Sequence, residues 1–332
     1  MAWTEHLALV YFLVEWSIRL VMVVVVPLRR QPEAARSWLL LVFFLPLPAL
    51  VLYRLIGRPR FPAWRQQRFQ DAAVIRRRVA TSLPRPAQPV PGIADLAERL
   101  GEFPVTGASN LALIGDYEQS IDHLVTDIDT AEASVHLLTY IVADDATGRE
   151  VAAALGRAAR RGVDVRVLID AIGSRPWARR TLAILAAEGV QCRLALPVRW
   201  WTTVRRARAD LRNHRKIAVI DGRLAYVGSQ NIVDRDFRRG IVNDELVARV
   251  EGAAAAAVAG VFASDWYLET REILPAPPLS EATISAVQIM PSGPDYGVPG
   301  FERLLVALIH AAETQVTLVS PHLIPDEALL AA

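Results

Sequence analysis

Lysine and cysteine are nearly absent from this chain of 332 residues, which has one of each, Lys216 and Cys192. A single cysteine excludes an internal disulfide and a cysteine-based metal cluster, so Cys192 is expected to be a small buried residue. The sequence also lacks a glycine-rich nucleotide loop before a helix, which leaves ATP or NAD without support. Histidine, aspartate and glutamate do not cluster at the spacing of metal ligands. We therefore expect neither a cofactor nor a metal ion.

Arginine carries almost all of the positive charge. The chain has 37 basic residues, of which one is lysine, and its net charge is only +2. So small a net charge argues against a protein that binds nucleic acid. Since arginine is used almost wherever a cation is needed, lysine at position 216 indicates a need for a compact ammonium, which binds phosphate as a point charge. The alternative is an accidental lysine on a strand edge.

The hydrophobic residues are concentrated in two runs near the N-terminus. The first, Leu7 to Leu28, is long enough to cross a bilayer as a helix, and Glu15 and Arg19 within it are spaced to pair on one face. The second, 38–56, contains two prolines, which predict a kinked span or a re-entrant segment. We expect residues 1–58 to form two membrane helices rather than a cleaved signal peptide, because the segment before the first run carries no lysine or arginine.

Arginines follow the second run in excess. Three lie in the connector between the two runs, whereas eight lie in 54–78 against one acidic residue: Arg54, Arg58, Arg60, Arg65, Arg68, Arg76, Arg77 and Arg78. This asymmetry predicts a cytoplasmic C-terminal part, and the same cations are expected to attract anionic lipid headgroups. Residues 59–92 are expected to form a basic, proline-rich linker. The basic and aromatic stretch 199–208 is expected to be a rim at the membrane surface or a solvated loop.

After Gly92, short apolar segments alternate with segments of helical spacing. Strands are predicted at 134–141, 163–170, 191–196, 216–220, 224–227 and 245–250. Helices are predicted at 121–131, 148–161, 179–188 and 253–269. The alternation predicts an α/β fold with a layered sheet flanked by helices, which we assign to 93–275.

Part of this pattern returns near the end of the chain. The segment 131–138 matches 312–319 at an offset of 181 residues, and Asp145 then falls on Asp326. We expect 276–332 to begin a second, incomplete copy of the fold. Chance similarity between two helix-strand units is the alternative.

One short string combines the single lysine with a histidine and an aspartate. His214 and Lys216 are two residues apart, and Asp221 follows five residues after the lysine. Residues two apart on a strand share a face, so the imidazole and the ammonium are expected to point the same way, roughly 7 Å apart along the backbone. That separation suits two groups that reach one phosphate.

The residue types in this string predict phosphoryl chemistry. His214 is expected to attack phosphorus as a nucleophile and to form a phosphohistidine. Lys216 is expected to neutralise charge on the phosphoryl oxygens, with help from Arg212 or Asn213. Asp221 completes the catalytic set, more as support for the local structure or for an imidazole than as a base.

The return strand after Asp221 supplies further candidates. Gly228 is expected where backbone approaches closely, and it is followed by Ser229 and Asn231. Their side chains are expected to hold an imidazole or phosphate oxygens.

The string H-x-K-x4-D-x6-G-S-x-N resembles the signature of the phospholipase D superfamily. The longer segment 211–217 is similar to the bacterial cardiolipin synthase branch, as are the N-terminal membrane hairpin, 244–269 and 320–327. The resemblance implies a phospholipase D-like fold in a bacterial plasma membrane protein with a cytoplasmic catalytic part. It also implies metal-free transfer of a phosphatidyl group from one phosphatidylglycerol to another, with release of glycerol.

The chain departs from the family pattern in its second half. In the family, that half supplies another histidine, which protonates the leaving alcohol and then activates the acceptor. A second H-x-K is impossible here because there is one lysine, and neither His310 nor His322 has a lysine two residues later. We expect activity to require a missing second half or a homodimer. The alternatives are a phospholipase D that uses water or another alcohol, and an inactive membrane-bound fragment that binds anionic lipid.

Overall fold

The structure is a computed structural model that describes residues 2–30, 32–57, 61–86, 92–197, 211–279, 285–296, 300–320 and 325–332. The stretch 199–208 and His322 lie outside these ranges. The chain divides into two compact units, Met1–Phe61 with Arg208–Leu211, and Pro62–Ala207 with Arg212–Ala332.

The N-terminal unit contains three helices: α1 (Ala2–Val25), α2 (Pro32–Phe44) and α3 (Pro46–Ile56). Within the described residues, α1 alone is long and apolar enough to cross a membrane, over Glu5–Val25. The expected pair inside it forms, with Arg19 Nη1 donating to Glu15 Oε2 at 3.1 Å. Most of its side chains are exposed, which fits a helix that meets lipid rather than a protein core.

The second hydrophobic run is interrupted at Leu45, beside the first of its two prolines, and is divided between two helices. Pro46 begins α3, where its missing N–H and fixed φ are tolerated, and it cannot continue α2. The resulting helices have 13 and 11 residues, or about 20 Å and 17 Å at 1.5 Å per residue, short of a bilayer core of about 30 Å. The two helices pack together, with the rings of Trp38 and Tyr53 edge to face at 5.2 Å.

The segment expected to be a linker contains a helix of 20 residues, α4 (Ala63–Ser82). The linker prediction is therefore wrong for this stretch, which has no glycine or proline to stop a helix. Arg65 binds Asp295 with Nε to Oδ1 at 2.6 Å, and Arg76 binds Glu102 with Nε to Oε2 at 2.9 Å. Carboxylates more than twenty residues away in sequence thus hold α4 in place within the second unit.

These contacts also correct the expectation that all eight arginines face lipid headgroups. The side chains of Arg65 and Arg76 are 2% and 1% exposed, so neither can reach a membrane surface. Arg54, Arg77 and Arg78 are exposed. Arg58 and Arg60 lie outside the described residues.

The second unit is built on a mixed sheet of seven strands in the order β2-β8-β7-β6-β3-β4-β5. Its members are β2 (Asn110–Ile114), β3 (Ser134–Thr139), β4 (Asp164–Asp170), β5 (Gln191–Ala195), β6 (Lys216–Ile220), β7 (Leu224–Gly228) and β8 (Val247–Glu251). Strands β3, β4 and β5 are parallel, and the other pairs are antiparallel. A separate antiparallel pair joins β1 (Val105–Ala108) to β9 (Ser285–Gln288).

Helices cover both faces of the large sheet, which confirms the α/β prediction. The remaining helices are α5 (Gly92–Gly101), α6 (Tyr117–Asp129), α7 (Ala146–Arg160), α8 (Ala178–Ala187), α9 (Ala253–Thr270), α10 (Gly300–Ala311) and α11 (Glu327–Ala331). Successive strand residues point to opposite faces, so Leu137 packs in the core under α6 and α7 while Leu138 packs against α9. Strands buried on both faces read as continuous apolar runs, which is why they are visible in the sequence.

The two aspartates that the proposed internal repeat aligns, Asp145 and Asp326, each cap a helix. Asp145 caps α7 by accepting the Gly148 N–H at 2.8 Å, and Asp326 caps α11 by accepting the Leu329 N–H at 2.8 Å. The strand expected within 312–319 does not form, and no strand pairs with 313–320 among the described residues. A strand is stable only when its backbone groups are paired, as β3 is on both sides by β4 and β6.

Candidate active site

The candidate site lies where the chain enters β6. Lys216 is the first residue of the strand and His214 belongs to the extended segment before it. As the spacing predicts, the side chains meet, with Lys216 Nζ 2.7 Å from His214 Nδ1 and donating to the His214 carbonyl oxygen at 2.9 Å. The lysine is 8% exposed, whereas the imidazole is exposed. A substrate can therefore reach the imidazole, and the buried ammonium lies on the protein side of it.

A tyrosine that sequence reasoning missed borders the imidazole. The ring of Tyr140 lies 4.3 Å from that of His214, centroid to centroid, and Lys216 Nζ is 5.6 Å from the tyrosine ring centroid. An aromatic face beside an ammonium stabilises the cation. Tyr140 directly follows β3, the strand beside β6, and only the pairing of these two strands brings it to the site.

Burial and mutual charge set the protonation of both groups. Burial lowers the pKa of His214, the positive charge of Lys216 lowers it further, and Asp170 opposes both effects. Burial likewise lowers the pKa of Lys216 to about 8, against an opposing effect of Glu245. At neutral pH the imidazole is thus mostly neutral while the ammonium is mostly charged. A neutral imidazole nitrogen with a cation nearby suits attack on a phosphodiester.

The approach of three strands beside the site requires a glycine. Gly228 on β7 pairs with Lys216 on β6 and with Val247 on β8. A Cβ at this position would lie 2.5 Å from the Leu246 carbonyl oxygen. The predicted close approach at Gly228 is therefore confirmed.

The side chains after Gly228 shape the surrounding loops. Asn231 Oδ1 accepts the Ile141 N–H at 3.0 Å, and Ser229 Oγ accepts the Leu246 N–H at 3.3 Å. Neither of these contacts reaches the imidazole. Asn231 instead supports the backbone next to Tyr140, which is an indirect contribution to the site.

Arg212 and Asn213 do not supply the expected help at the phosphate, because protein groups occupy both side chains. Arg212 binds Asp170 with Nη2 to Oδ2 at 2.8 Å and donates from Nη1 to the Leu196 carbonyl at 2.8 Å. Asn213 is 4% exposed and donates from Nδ2 to Asp265 Oδ2 at 3.2 Å. Both residues fix the segment that carries His214.

Asp221 lies at the opposite end of β6, so its assignment to the catalytic set is wrong. Its carboxylate accepts three backbone N–H groups, from Glu132 at 3.0 Å, Ala133 at 2.7 Å and Ser134 at 2.8 Å. Five strand residues separate it from the site, which is roughly 17 Å at 3.3 Å per residue. The structural role that the sequence left open is the one observed.

Glu245 is a second residue that sequence reasoning missed. It is partly buried and raises the pKa of Lys216, which means that its charge lies close enough to stabilise the ammonium. It lies two residues before β8, whose first residue pairs with Gly228. No spacing rule connects it to the histidine and the lysine, because a loop of more than ten residues intervenes.

The described ranges contain no group of three or more histidine, cysteine, aspartate or glutamate residues placed to hold a metal ion.

Comparisons with known proteins agree with the geometry. Residues 124–266 match the family described as cardiolipin synthase, phospholipase D-like domain. The chain is 29% identical over 327 residues to cardiolipin synthase A of Pectobacterium carotovorum and 30% identical to that of Yersinia pseudotuberculosis. Each alignment covers 92% of this chain but 66% of the relative, so the chain spans just under two thirds of these proteins.

Among solved structures, the chain is similar to Nuc of Salmonella typhimurium, a phospholipase D family member, with a TM-score of 0.35 and 19% identity over 48% of this chain and 97% of that one. It is also similar to NucT of Helicobacter pylori, with a TM-score of 0.33 and 17% identity over 46% and 92% of the two chains. The family match spans the strands that carry His214 and Lys216, and the curated relatives extend it along most of the sequence. Residues 124–266 thus match the phospholipase D-like domain of cardiolipin synthases, and the chain is similar to two such synthases along most of its length.

Proposed function

We propose that the protein is a phosphatidyltransferase of the cardiolipin synthase type, which converts two phosphatidylglycerol molecules into cardiolipin and glycerol. The observation that carries this proposal is the exposed imidazole of His214 held 2.7 Å from the ammonium of Lys216. The similarity to cardiolipin synthases of two other bacteria supports the choice of substrate.

In the first step, His214 Nε2 attacks the phosphorus of one phosphatidylglycerol. A nitrogen–phosphorus bond forms, the bond from phosphorus to the headgroup glycerol oxygen breaks, and glycerol leaves after taking up a proton. Attack by Nε2 needs the tautomer with its proton on Nδ1. Lys216 must therefore turn from Nδ1 to the phosphoryl oxygens, whose negative charge its ammonium stabilises.

In the second step, a headgroup hydroxyl of another phosphatidylglycerol attacks the phosphohistidine. The new phosphorus–oxygen bond forms cardiolipin, and the imidazole leaves with the electron pair of the broken nitrogen–phosphorus bond. The acceptor hydroxyl gives up one proton, which balances the proton taken up by glycerol.

Both steps need a group that donates a proton to glycerol and removes one from the acceptor. The sequence has one lysine and thus one H-x-K string. We infer that a second phospholipase D-like half or a second copy of this chain supplies the group. If two copies form the site, activity per chain will rise with chain concentration at constant lipid, and light scattering will detect a dimer over the same range.

We further propose that α1 anchors the protein in the bacterial plasma membrane with the second unit in the cytoplasm. The exposed cations Arg54, Arg77 and Arg78 suit that side of an anionic bilayer. Cys192 is buried, and burial raises its pKa to about 12, so it will not react with a maleimide. Cysteines introduced at exposed Gln70 and Val74 should be shielded from an impermeant maleimide in intact cells. Maleimide labelling of these cysteines before lysis would mean that the second unit lies outside the plasma membrane.

The activity is tested with radiolabelled phosphatidylglycerol in vesicles, by following lipid products and acid-labile phosphoprotein. Wild type should give cardiolipin and labelled protein, and His214→Ala should give neither. His123→Ala is the matched control, because His123 is an exposed histidine on α6 outside the site, and it should keep full activity.

The same assay separates the alternatives. Phosphatidic acid instead of cardiolipin would mean that water is the acceptor and the protein is a phospholipase D. Retained lipid binding with no product and no labelled protein would identify an inactive lipid-binding chain.

A further inference from the structure

The two residues that flank His214 bind the same carboxylate. Asn213 Nδ2 donates to Asp265 Oδ2 at 3.2 Å, and Arg215 donates from Nε to that oxygen at 2.9 Å and from Nη2 to Oδ1 at 2.6 Å. Asp265 lies on α9 and is 5% exposed. One buried carboxylate therefore holds the chain on both sides of the imidazole.

This grip determines where His214 points. In an extended segment, successive side chains point to opposite sides. Because Asn213 and Arg215 are turned toward α9, His214 is directed away from it, to the side that Lys216 shares. Asn213 tightens the arrangement, since its Oδ1 accepts the Arg215 N–H at 3.1 Å.

We propose that Asp265 is a positioning residue for the nucleophile, which acts through Asn213 and Arg215 to hold the His214 imidazole against Lys216. This inference rests on the proposed function only in taking His214 as the nucleophile. Asp265 itself does not touch the substrate.

The segment after β9 adds a third anchor. Arg215 Nη1 donates to the Ser292 carbonyl oxygen, and Asp295 in the same segment is bound by Arg65 of α4. The nucleophile is thus connected through Arg215 to two elements far away in sequence. The contact with Ser292 therefore adds a further restraint on the segment that carries His214.

A purely structural ion pair would give the same contacts, so the test must separate stability from positioning. Removing one partner of a buried pair leaves an uncompensated charge and destabilises the fold, whereas removing both partners relieves that penalty. The double variant Arg215→Met with Asp265→Asn should therefore recover thermal stability. If the pair is only structural, the His214 pKa and the phosphohistidine rate should recover together with the Tm. If Asp265 positions the nucleophile, both should stay altered although the Tm recovers.

The measurements are made on the full chain in detergent micelles. The pKa of the His214 imidazole is measured without substrate by NMR of protein labelled with ¹⁵N-histidine, with His214→Ala to assign the signal. The initial rate of phosphohistidine formation from phosphatidylglycerol and the Tm are measured on the same samples. Asp127→Asn is the matched control. It breaks a comparable bidentate pair, with Arg249 Nε to Asp127 Oδ2 at 2.8 Å and Nη2 to Oδ1 at 3.1 Å, away from the histidine.

The double variant should melt near wild type, show a His214 pKa raised toward its ordinary value, and form phosphohistidine about 100-fold more slowly, as expected for a displacement of about 1 Å. The Asp127→Asn control should have a lower Tm but an unchanged His214 pKa and an unchanged rate of phosphohistidine formation. Asn213→Ala, which leaves no unpaired charge, should raise the His214 pKa by less and slow the reaction several-fold. A wild-type His214 pKa in both the double variant and Asn213→Ala would overturn the proposal. If wild type itself forms no phosphohistidine, the proposed function fails, and the titration still decides the role of Asp265.

Discussion

The two ends of strand β6 belong to the same sequence string but have different roles. At one end, Lys216 and His214 form a partly exposed pair whose pKa values are both lowered by burial. At the other, Asp221 accepts three backbone N–H groups from residues 132–134 and reaches no catalytic group. Burial of the Lys216 charge lowers the stability of the fold. The hydrogen bonds of Asp221 raise it, and Asp221 takes no part in the proposed reaction. One short string can therefore combine candidate reactive residues with a residue that stabilises the fold.

The largest expected effect tests the chemical end. Lys216→Met removes the ammonium while it keeps the length of the side chain, so negative charge on the phosphoryl oxygens loses its partner. Phosphohistidine formation should fall about 100- to 1,000-fold, the loss typical of removing one preorganised electrostatic contact. The measurement is the initial rate of acid-labile labelling from phosphatidylglycerol. A rate within threefold of wild type would mean that both ends of β6 are structural.

The structural end is tested by Asp221→Ala. Three N–H groups lose their acceptor at a partly exposed site, and alanine replaces aspartate at a φ of +52°. The free energy of unfolding should fall by about 2–3 kcal/mol, whereas the phosphohistidine rate per folded molecule should stay near wild type. Denaturant unfolding gives the stability change. Asp221→Asn, which keeps one acceptor oxygen and tolerates this φ, should lose less. A large loss of rate at unchanged stability would return Asp221 to the catalytic set.

A smaller effect is expected at Gly228, where folding and chemistry meet. A Cβ there would press on the Leu246 carbonyl, so Gly228→Ala should reduce the free energy of unfolding by about 1–3 kcal/mol and also slow the reaction, because Lys216 pairs with this residue. Gly115→Ala is the control, since a Cβ at Gly115 meets nothing within 4 Å. Equal stability of the two alanine variants would show that the strands can separate freely at the site.

The smallest expected effect is the pH dependence of stability at the lysine end. Burial lowers the pKa of Lys216 from 10.5 to about 8. Between these pH values the unfolded chain holds a proton that the folded chain has released, so the free energy of unfolding rises with pH across this window. Lys216→Met lacks this rise. The variant should therefore be more stable than wild type below about pH 8, and its advantage should shrink toward pH 10.5. Denaturant unfolding at pH 7 and pH 10 checks this, and a constant difference would contradict it.

The central sheet was predictable because its signals are local. The strands β3, β4 and β6 are short and rich in valine, isoleucine and leucine, and hydrophobic burial needs no knowledge of which strand lies beside which. The pairing of β1 with β9 was not predictable, since the paired residues are about 180 positions apart. Helix α4 was missed because buried arginines hold it, and their acidic partners are distant in sequence.

The same distinction applies to the site. The meeting of His214 and Lys216 follows from the two-residue period of an extended chain. The roles of Arg212, Asn213 and Asp221 do not, because each is decided by a partner elsewhere: Asp170, Asp265 and the backbone of 132–134 respectively. Spacing identifies which side chains can act together. It does not show which of them are already hydrogen-bonded to residues elsewhere in the fold.

The attachment of Asp221 to the start of β3 has a consequence at the other end of strands β3 and β6. Strands β3 and β6 run antiparallel. The hydrogen bonds of Asp221 at one end fix which residue of β6 pairs with which residue of β3. Tyr140 leaves β3 at the opposite end and there meets His214, ring to ring. A slip by a single residue would turn every side chain of β6 to the wrong face. Asp221 thus sets the alignment of His214 and Lys216, although it lies at the other end of β6 from both.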